Sequence, residues 1–159
     1  MIVAVTDAGP LIHLGEIDSL ELPEVIDELV VPESVRRELE AGGAPGGFDD
    51  RSVEVATAGG DESWVEAGLD AGEAAALAVA ADRDAILLTD DLAARDAATE
   101  TGVEVHGSIG IIALASGRGG LTEDEAAQLM RSLQTDTSLF VTDAVVEHGI
   151  EILREDSDG

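Results

Sequence analysis

Acidic side chains follow two apolar runs of the sequence, at positions where α/β proteins often carry chemistry. Asp7 comes after the run Ile2 to Val5, and Asp90 and Asp91 come after Ala85 to Leu88. Short runs of this kind predict parallel strands buried on both faces. Because ligands collect beyond the carboxyl ends of such strands, we expect the three carboxylates to meet at one edge of a sheet.

Two further carboxylates belong to helices that can reach the same edge, Glu38 and Glu73. Carboxylates gathered in one place repel one another and hold protons unless a divalent cation neutralises them. The chain has no cysteine, which excludes thiolate sites, so the predicted cofactor is a hard, oxygen-bound Mg²⁺ or Mn²⁺. Such an ion orients a phosphate and activates water for in-line attack.

Each candidate also has a purely structural interpretation, since 35 of 159 residues are acidic and chance neighbours are common. Glu73 could complete a capping box with Asp70. Asp91 could cap the following helix or pair with Arg95 four residues later. Glu38 could be a solvated carboxylate on a helix face.

The elements that must position these residues alternate along the chain as strand and helix, which predicts a single open α/β domain over 1–154 with a short acidic tail at 155–159. Residues 42–61, rich in Gly and Asp, are predicted to form a mobile loop with one short β-like run, Val53 to Ala56. The predicted strands are Ile2 to Val5, Leu29 to Val31, Ala85 to Leu88, Val103 to Val105 and Leu139 to Val141. The predicted helices are Pro10 to Ser19, Glu33 to Ala41, Gly72 to Arg83, Leu92 to Thr101, Ile109 to Ser116, Thr122 to Leu133 and Asp143 to Arg154.

The composition is strongly acidic, with a net charge of −27, and all eight basic residues are Arg. Self-repulsion at this charge is screened when the Debye length shrinks to about 3 Å at 1 M salt, so we predict a halophilic protein. The acidity argues against affinity for nucleic acid through phosphates. There is no signal peptide pattern and no run of 18 apolar residues, which predicts a soluble cytoplasmic protein without membrane contact.

Five motifs occur in an order that resembles the PIN-domain family, and together they cover Ile2 to about Arg154. The branch it resembles has a paired Asp-Asp followed by Ala-Arg, and Glu73 stands where many PIN nucleases have Asp. The motifs are Val5-Thr-Asp7-Ala-Gly-Pro-Leu11, Val31-Pro-Glu-Ser-Val-Arg-Arg-Glu38, Gly72-Glu73-Ala-Ala-Ala-Leu77, Leu88-Thr-Asp-Asp91 with Ala94-Arg95, and Gly107-Ser-Ile-Gly110.

The resemblance implies a three-layer α/β fold with a central parallel sheet of strand order 3-2-1-4-5, flanked by helices. It implies a catalytic metal pocket formed by Asp7, Glu38, Glu73 and Asp91, with Asp90 beside it. It also implies a metal-dependent endoribonuclease that leaves a 5′-phosphate, similar to the VapC-like toxins of type II toxin–antitoxin pairs. Such relatives are often homodimers inhibited by a small antitoxin protein.

Three residues near the predicted pocket could contact substrate. Arg95 could touch a phosphate, and Ser108 could cap the helix at Ile109 or present its N–H to a phosphate. His106 ends the fourth predicted strand. His13 and His148, in helices, are interpreted as packing or surface residues.

Other functions fit the sequence less well. A catalytically silent PIN-fold binding module would more often lack one of the acidic positions. A phosphoacceptor receiver domain needs a Lys, which the chain lacks, and a haloacid-dehalogenase-like phosphatase needs an Asp where Gly9 stands. Aromatic residues make up only 2% of the chain, too few for a stacking platform of the kind used by many RNA-binding modules.

Overall fold

The computed structural model of the chain describes residues 2–17, 26–42, 54–56, 64, 66–118, 121–137, 139 and 141–158. Helices and strands alternate along most of these residues. The strands are β1 (Val3–Thr6), β2 (Glu28–Pro32), β3 (Glu54–Ala56), β4 (Ile86–Leu88) and β5 (Val105–His106). The helices are α1 (Ala8–Glu16), α2 (Glu33–Gly42), α3 (Ala71–Arg83), α4 (Leu92–Thr101), α5 (Ser108–Gly117), α6 (Glu123–Asp136) and α7 (Asp143–Asp158).

All strand pairs in the described sheet are parallel, and their order is β3-β2-β1-β4-β5. The central strand β1 pairs on both sides, with Val5 opposite Val30 of β2 and opposite Leu87 of β4. The prediction of an α/β fold with a parallel sheet flanked by helices is confirmed. Each crossover between neighbouring strands passes through a helix, which is the usual connection between parallel strands.

One of the five predicted strands was wrong, so the predicted set of strands needs correction. Leu139 and Val141 lie in irregular chain between α6 and α7, and Phe140 is outside the described residues. The apolar character of this segment is explained by the packing of Val141 against the hydrophobic core, and the segment does not join the sheet. In the sheet, the other four predicted strands lie in the order second, first, third, fourth. The edge position beside β2 is occupied by β3 (Glu54–Ala56), which lies within the predicted loop 42–61. The rest of the predicted loop 42–61 lies outside the described residues.

Alternate residues of the strands enter two different cores, one on each face of the sheet. On one face Ala4, Leu29 and Leu88 pack with large side chains of helices α1, α5, α6 and α7. On the other face Val5 and Leu87 pack with an alanine-rich surface of α3 and α4. Because alanine projects so little, these two helices can lie close to the sheet.

The large-residue core depends on one close helix crossing. A Cβ added at Gly149 of α7 would lie 2.7 Å from Ile109 Cγ2 of α5 and 2.9 Å from Met130 Sδ of α6. The missing side chain therefore lets three helices meet. No helix in the described part of the chain is both long and apolar enough to span a membrane.

The helix boundaries differ from the sequence predictions by no more than four residues. Helix α5 begins at Ser108, so Gly107 and not Ser108 holds the cap position. Helix α7 continues past Arg154 to Asp158, and residues 155–158 of the predicted tail extend that helix. The strands β1, β4 and β5 are each followed within four residues by a helix start, so the N-termini of α1, α4 and α5 gather at the carboxyl edge of the sheet.

Candidate active site at the carboxyl edge of the sheet

An acidic cleft of about 300 Å³ opens at the carboxyl ends of β1 and β4. It contains every acidic residue that the sequence singled out. We call this group of residues the acidic cleft throughout. Its lining consists of the carboxylates Asp7, Glu38, Asp70, Glu73, Asp90 and Asp91, together with Ala8, Gly9, Ile12, His13 and Leu139.

Asp7 is the most deeply placed of these carboxylates, with 7% of its surface exposed. The Ala8 N–H donates to its Oδ1 at 2.7 Å, and the Thr89 hydroxyl donates to its Oδ2 at 3.1 Å. Burial raises the pKa of Asp7 to about 6, against these two hydrogen bonds, and the charges of Asp70 and Glu38 raise it further. Asp7 is therefore a rigidly oriented carboxylate that is costly to ionise in the absence of a cation.

Glu73 and Asp70 form the capping box at the start of α3 that the sequence allowed as an alternative. The Glu73 N–H donates to Asp70 Oδ1 at 2.8 Å, and the Asp70 N–H donates to Glu73 Oε2 at 3.0 Å. Burial raises the pKa of Glu73 to about 7, and the charges of Asp70, Asp91 and Asp7 add to the shift. Glu73 thus caps a helix and also faces other carboxylates across the acidic cleft.

Glu38 reaches the acidic cleft because of a glycine on the neighbouring helix. A Cβ at Gly72 would lie 3.3 Å from Glu38 Oε2, 3.4 Å from Asp70 Oδ1 and 3.4 Å from Val35 Cγ2. Burial, followed by the charge of Asp70, raises the pKa of Glu38 above its usual range. The Gly-Glu pair at 72–73 therefore has a packing role, since it lets the Glu38 carboxylate approach the start of α3.

Asp90 is held by both of its carboxylate oxygens. The Ser108 N–H donates to Asp90 Oδ1 at 2.6 Å, and the Ser108 hydroxyl donates to Oδ2 at 2.6 Å. A Cβ at Gly107 would lie only 2.8 Å from Asp90 Oδ1. Asp90 thus occupies the anion-binding position at the N-terminus of α5. From the sequence we expected that a phosphate could bind at this position.

Asp91 caps the next helix. Its Oδ2 accepts from the Ala94 N–H at 2.9 Å, and its own N–H donates to the buried hydroxyl of Thr89 at 3.2 Å. The alternative ion pair with Arg95 does not form in the described chain. Thr89, which the sequence analysis passed over, therefore fixes both Asp91 and Asp7, and its position between an apolar strand and the Asp-Asp pair was the available signal.

The three predicted substrate-contacting residues do not line the acidic cleft. Ser108 is buried and engaged with Asp90, and His106 lies 3.3 Å from Glu104. Arg95 is exposed, with Nη1 3.4 Å from the position a Cβ would take at Gly107. His13, interpreted as a packing or surface residue, does line the cleft, with Nδ1 3.3 Å from Glu16 Oε1.

The donor set of the acidic cleft fits a hard divalent cation. It offers carboxylate oxygens, which Mg²⁺ and Mn²⁺ prefer, and burial raises the pKa values of Asp7 and Glu73, so a cation would stabilise their ionised forms. Within the described part of the chain, no three acidic or histidine side chains already stand close enough to coordinate one ion. Binding would therefore require side-chain movement, which the exposed Glu38 carboxylate can make most readily.

Comparison with known proteins places this geometry in a family. A family model described as "DUF3368: PIN domain" matches residues 3–155. The structure is similar to that of a PilT N-terminus domain protein, SSO1118, from the hyperthermophilic archaeon Sulfolobus solfataricus P2, with a TM-score of 0.55 and 22% identity over 72% of this chain and 92% of that one. No curated protein matches the sequence. PIN domains are typically nucleases and generally use divalent metal ions, and this chain belongs to the PIN-domain family.

Proposed function

We propose that the protein is a metal-dependent endoribonuclease whose active site is the acidic cleft. The observation that supports this most directly is the convergence of Asp7, Glu38, Glu73 and Asp91 on one cleft at the carboxyl edge of the sheet. These are the acidic positions at which the chain resembles PIN nucleases. Clustered carboxylates with raised pKa values are typical of functional sites, because folding alone does not favour them.

The chain's own groups hold the carboxylates in place before any ligand arrives. Asp7 is oriented by Thr89 and the Ala8 N–H, Asp91 by the Ala94 N–H, and Glu73 by the Asp70 N–H. This preorganisation reduces the rearrangement needed when a charged ligand binds. A Mg²⁺ or Mn²⁺ ion held by Asp7, Glu38, Glu73 and Asp91 would polarise a phosphodiester and lower the pKa of a water molecule.

Proton release should accompany metal binding. Asp7 and Glu73 have pKa values raised to about 6 and about 7, so both carry protons for part of the time near neutral pH. A cation must displace these protons, and its affinity should therefore rise with pH up to about pH 8.

The test is cleavage of a mixed structured RNA in molar KCl by purified protein, with Mn²⁺, Mg²⁺ or EDTA, comparing wild type with Asp7→Asn. We expect cleavage only with a divalent ion and a loss of at least about 100-fold in rate for the variant, since one ligand and one oriented charge are removed. The product ends should be 5′-phosphates. Calorimetric titration of Mg²⁺ into both proteins gives a second readout, in which the variant should bind more weakly.

A folded wild-type protein that neither cuts RNA nor binds Mn²⁺ would contradict the proposal and favour the silent binding module. The toxin role adds a biological prediction, which is that expression arrests growth and that a small partner protein relieves the arrest. The acidic composition adds another, that molar KCl raises the melting temperature. The receiver-domain alternative loses its support, since the chain belongs to the PIN family.

A further inference from the structure

An apolar rim stands beside the acidic cleft on a surface that is otherwise dominated by carboxylates. Among the large hydrophobic residues of the described chain, three are exposed, namely Ile12 at 39%, Leu92 at 73% and Val145 at 48%. Ile12 lines the acidic cleft, and Leu92 directly follows the lining residue Asp91. The partly buried Leu139 also lines it, and we call Ile12, Leu92 and Leu139 the apolar rim.

The protein's cations are poorly placed to hold a polyanion. The chain has no lysine, and four of the seven arginines in the described residues form ion pairs with the protein's own carboxylates. Arg95, one turn past Asp91, forms no ion pair within the described chain and offers a single phosphate contact. The paired arginines are Arg36 with Glu33 and Glu40, Arg37 with Glu33, Arg118 with Asp27, and Arg154 with Glu123.

Phosphate contacts therefore cannot supply most of the affinity for RNA. Counterion release contributes to affinity in proportion to the number of phosphates that Lys and Arg neutralise, and most of the described arginines already face a carboxylate of the protein. The net charge of −27 opposes approach of the RNA backbone as well. The parts of RNA that carry no charge are the bases, and each base has an apolar face.

Resting on the proposed function, we infer that the apolar rim binds an unpaired nucleobase next to the scissile phosphate and that Leu92 and Ile12 are substrate-positioning residues. A base in a duplex is stacked on both faces and cannot present one to Leu92. Ile12 and Leu139 line the acidic cleft and Leu92 follows the lining residue Asp91, so a base bound there would lie beside the carboxylates. The neutrality of the base suits a surface that repels phosphates. Binding should then be insensitive to salt or become tighter as salt screens the repulsion.

The experiment measures binding of a labelled ten-nucleotide single-stranded RNA in EDTA, where metal-dependent cleavage is blocked, between about 0.2 and 2 M KCl. Wild-type protein should bind with a dissociation constant that changes little or decreases across this range. An oligonucleotide of the same length without bases, and a blunt duplex, should bind at least about tenfold more weakly.

Single substitutions test the rim itself. Leu92→Ser and Ile12→Ser should each weaken binding, together by about tenfold, because apolar area that the base would cover is lost. Val145→Ser is the matched control, since it removes a similarly exposed apolar side chain outside the cleft lining and should leave binding unchanged. Exposed positions of this kind tolerate substitution without unfolding.

Three outcomes would overturn the inference: equal binding of the oligonucleotide without bases, a steep loss of affinity with salt, or no measurable binding of any RNA. A change in oligomeric mass for Leu92→Ser, with RNA binding intact, would assign the rim to a second copy or a protein partner instead. The two proposals fail separately. Metal-dependent cleavage with an unchanged KM in Leu92→Ser rejects the rim alone, whereas base-dependent binding without cleavage rejects the nuclease alone.

Discussion

Carboxylates of the acidic cleft and carboxylates on the outer surface differ in the direction of their pKa shifts. In the cleft, burial raises the pKa of Asp7 to about 6 and that of Glu73 to about 7. On the surface, hydrogen bonds from Arg118 and Arg36 hold the pKa values of Asp27 and Glu33 below their usual range. The same side-chain chemistry thus opposes folding at neutral pH in one region and supports it in the other.

This contrast separates residues that serve the fold from residues that the fold merely tolerates. A paired surface acid contributes a small stabilisation that salt screens. A buried acid without a cation does the reverse, and proteins retain such groups mainly where a ligand or reaction needs them. The contrast therefore supports the proposal that the cleft is a functional site, and this support does not depend on any resemblance to known nucleases.

The strongest test of this contrast is Asp7→Asn in metal-free buffer. In the folded wild-type protein the pKa of Asp7 is about 6, above the usual 3.8, so folding favours the protonated carboxyl group. The stability that this group contributes is therefore lost as pH rises from about 4 to about 6. Removing the charge should raise the free energy of unfolding at pH 8 by on the order of 2 kcal/mol. Urea denaturation at pH 8 and pH 5 measures this, and the gain should shrink at pH 5.

The control is Asp96→Asn, which removes one negative charge from the exposed face of α4. If Asp96→Asn stabilises the protein as much as Asp7→Asn, then overall charge repulsion and not burial explains the effect. A variant at position 7 that is less stable at pH 8 would mean that the hydrogen bonds from Ala8 and Thr89 outweigh the cost of burial.

The second prediction concerns how Glu38 is positioned. In Gly72→Ala the new Cβ would lie 3.3 Å from Glu38 Oε2, so the carboxylate must move by a few tenths of an ångström. We expect kcat/KM for RNA cleavage to fall by about tenfold, since small displacements at a reacting centre have large effects. Stability should not fall, because alanine favours a helix over glycine by about 1 kcal/mol.

Gly117→Ala serves as the comparison for this variant, since a Cβ there meets no atom within 4 Å. It should leave cleavage unchanged. Unchanged cleavage in Gly72→Ala as well would show that the observed position of Glu38 is not needed for catalysis, and would weaken its assignment as a ligand.

Much of the fold follows from local signals in the sequence. The capping-box spacing of Asp70 with Glu73 and of Thr122 with Glu125 is visible in the sequence, and both boxes form at the starts of α3 and α6. The predicted strand Leu139 to Val141 was wrong because an apolar run indicates only that a segment is buried. A buried connecting segment and a buried strand give the same pattern. The edge strand β3 has only three residues, and the sequence indicates it only as the short β-like run Val53 to Ala56 within the predicted loop.

The site was predictable to the extent that it depends on strand ends. Asp7, Asp90 and Asp91 follow strands and do lie together. The engagement of Asp90 with Ser108 depends on a contact across 18 residues, and no local pattern encodes it. His13 lies on α1 four residues after Gly9, which also lines the cleft, and this helical spacing puts both residues on one face.

The smallest expected effect is that of Asp27→Asn, and its sign completes the comparison. Asp27 Oδ2 accepts from the Ile2 N–H at 2.6 Å and from Arg118 Nη1 at 2.9 Å, which joins the start of β1 to the end of α5. Because its pKa is lowered in the folded protein, Asp27 supports folding above its usual pKa, and this support is lost as pH falls through the lower, folded-state value.

At pH 7 and low salt we expect Asp27→Asn to lower the melting temperature by about 1–2 °C, the scale of an exposed ion pair. Calorimetric melts should show the difference disappearing in 2 M KCl, whereas the stabilisation by Asp7→Asn should persist there, because salt screens exposed pairs far more than it relieves burial. A difference for Asp27→Asn that survives 2 M KCl would mean that the ion pair with Arg118 is not what the surface carboxylate contributes.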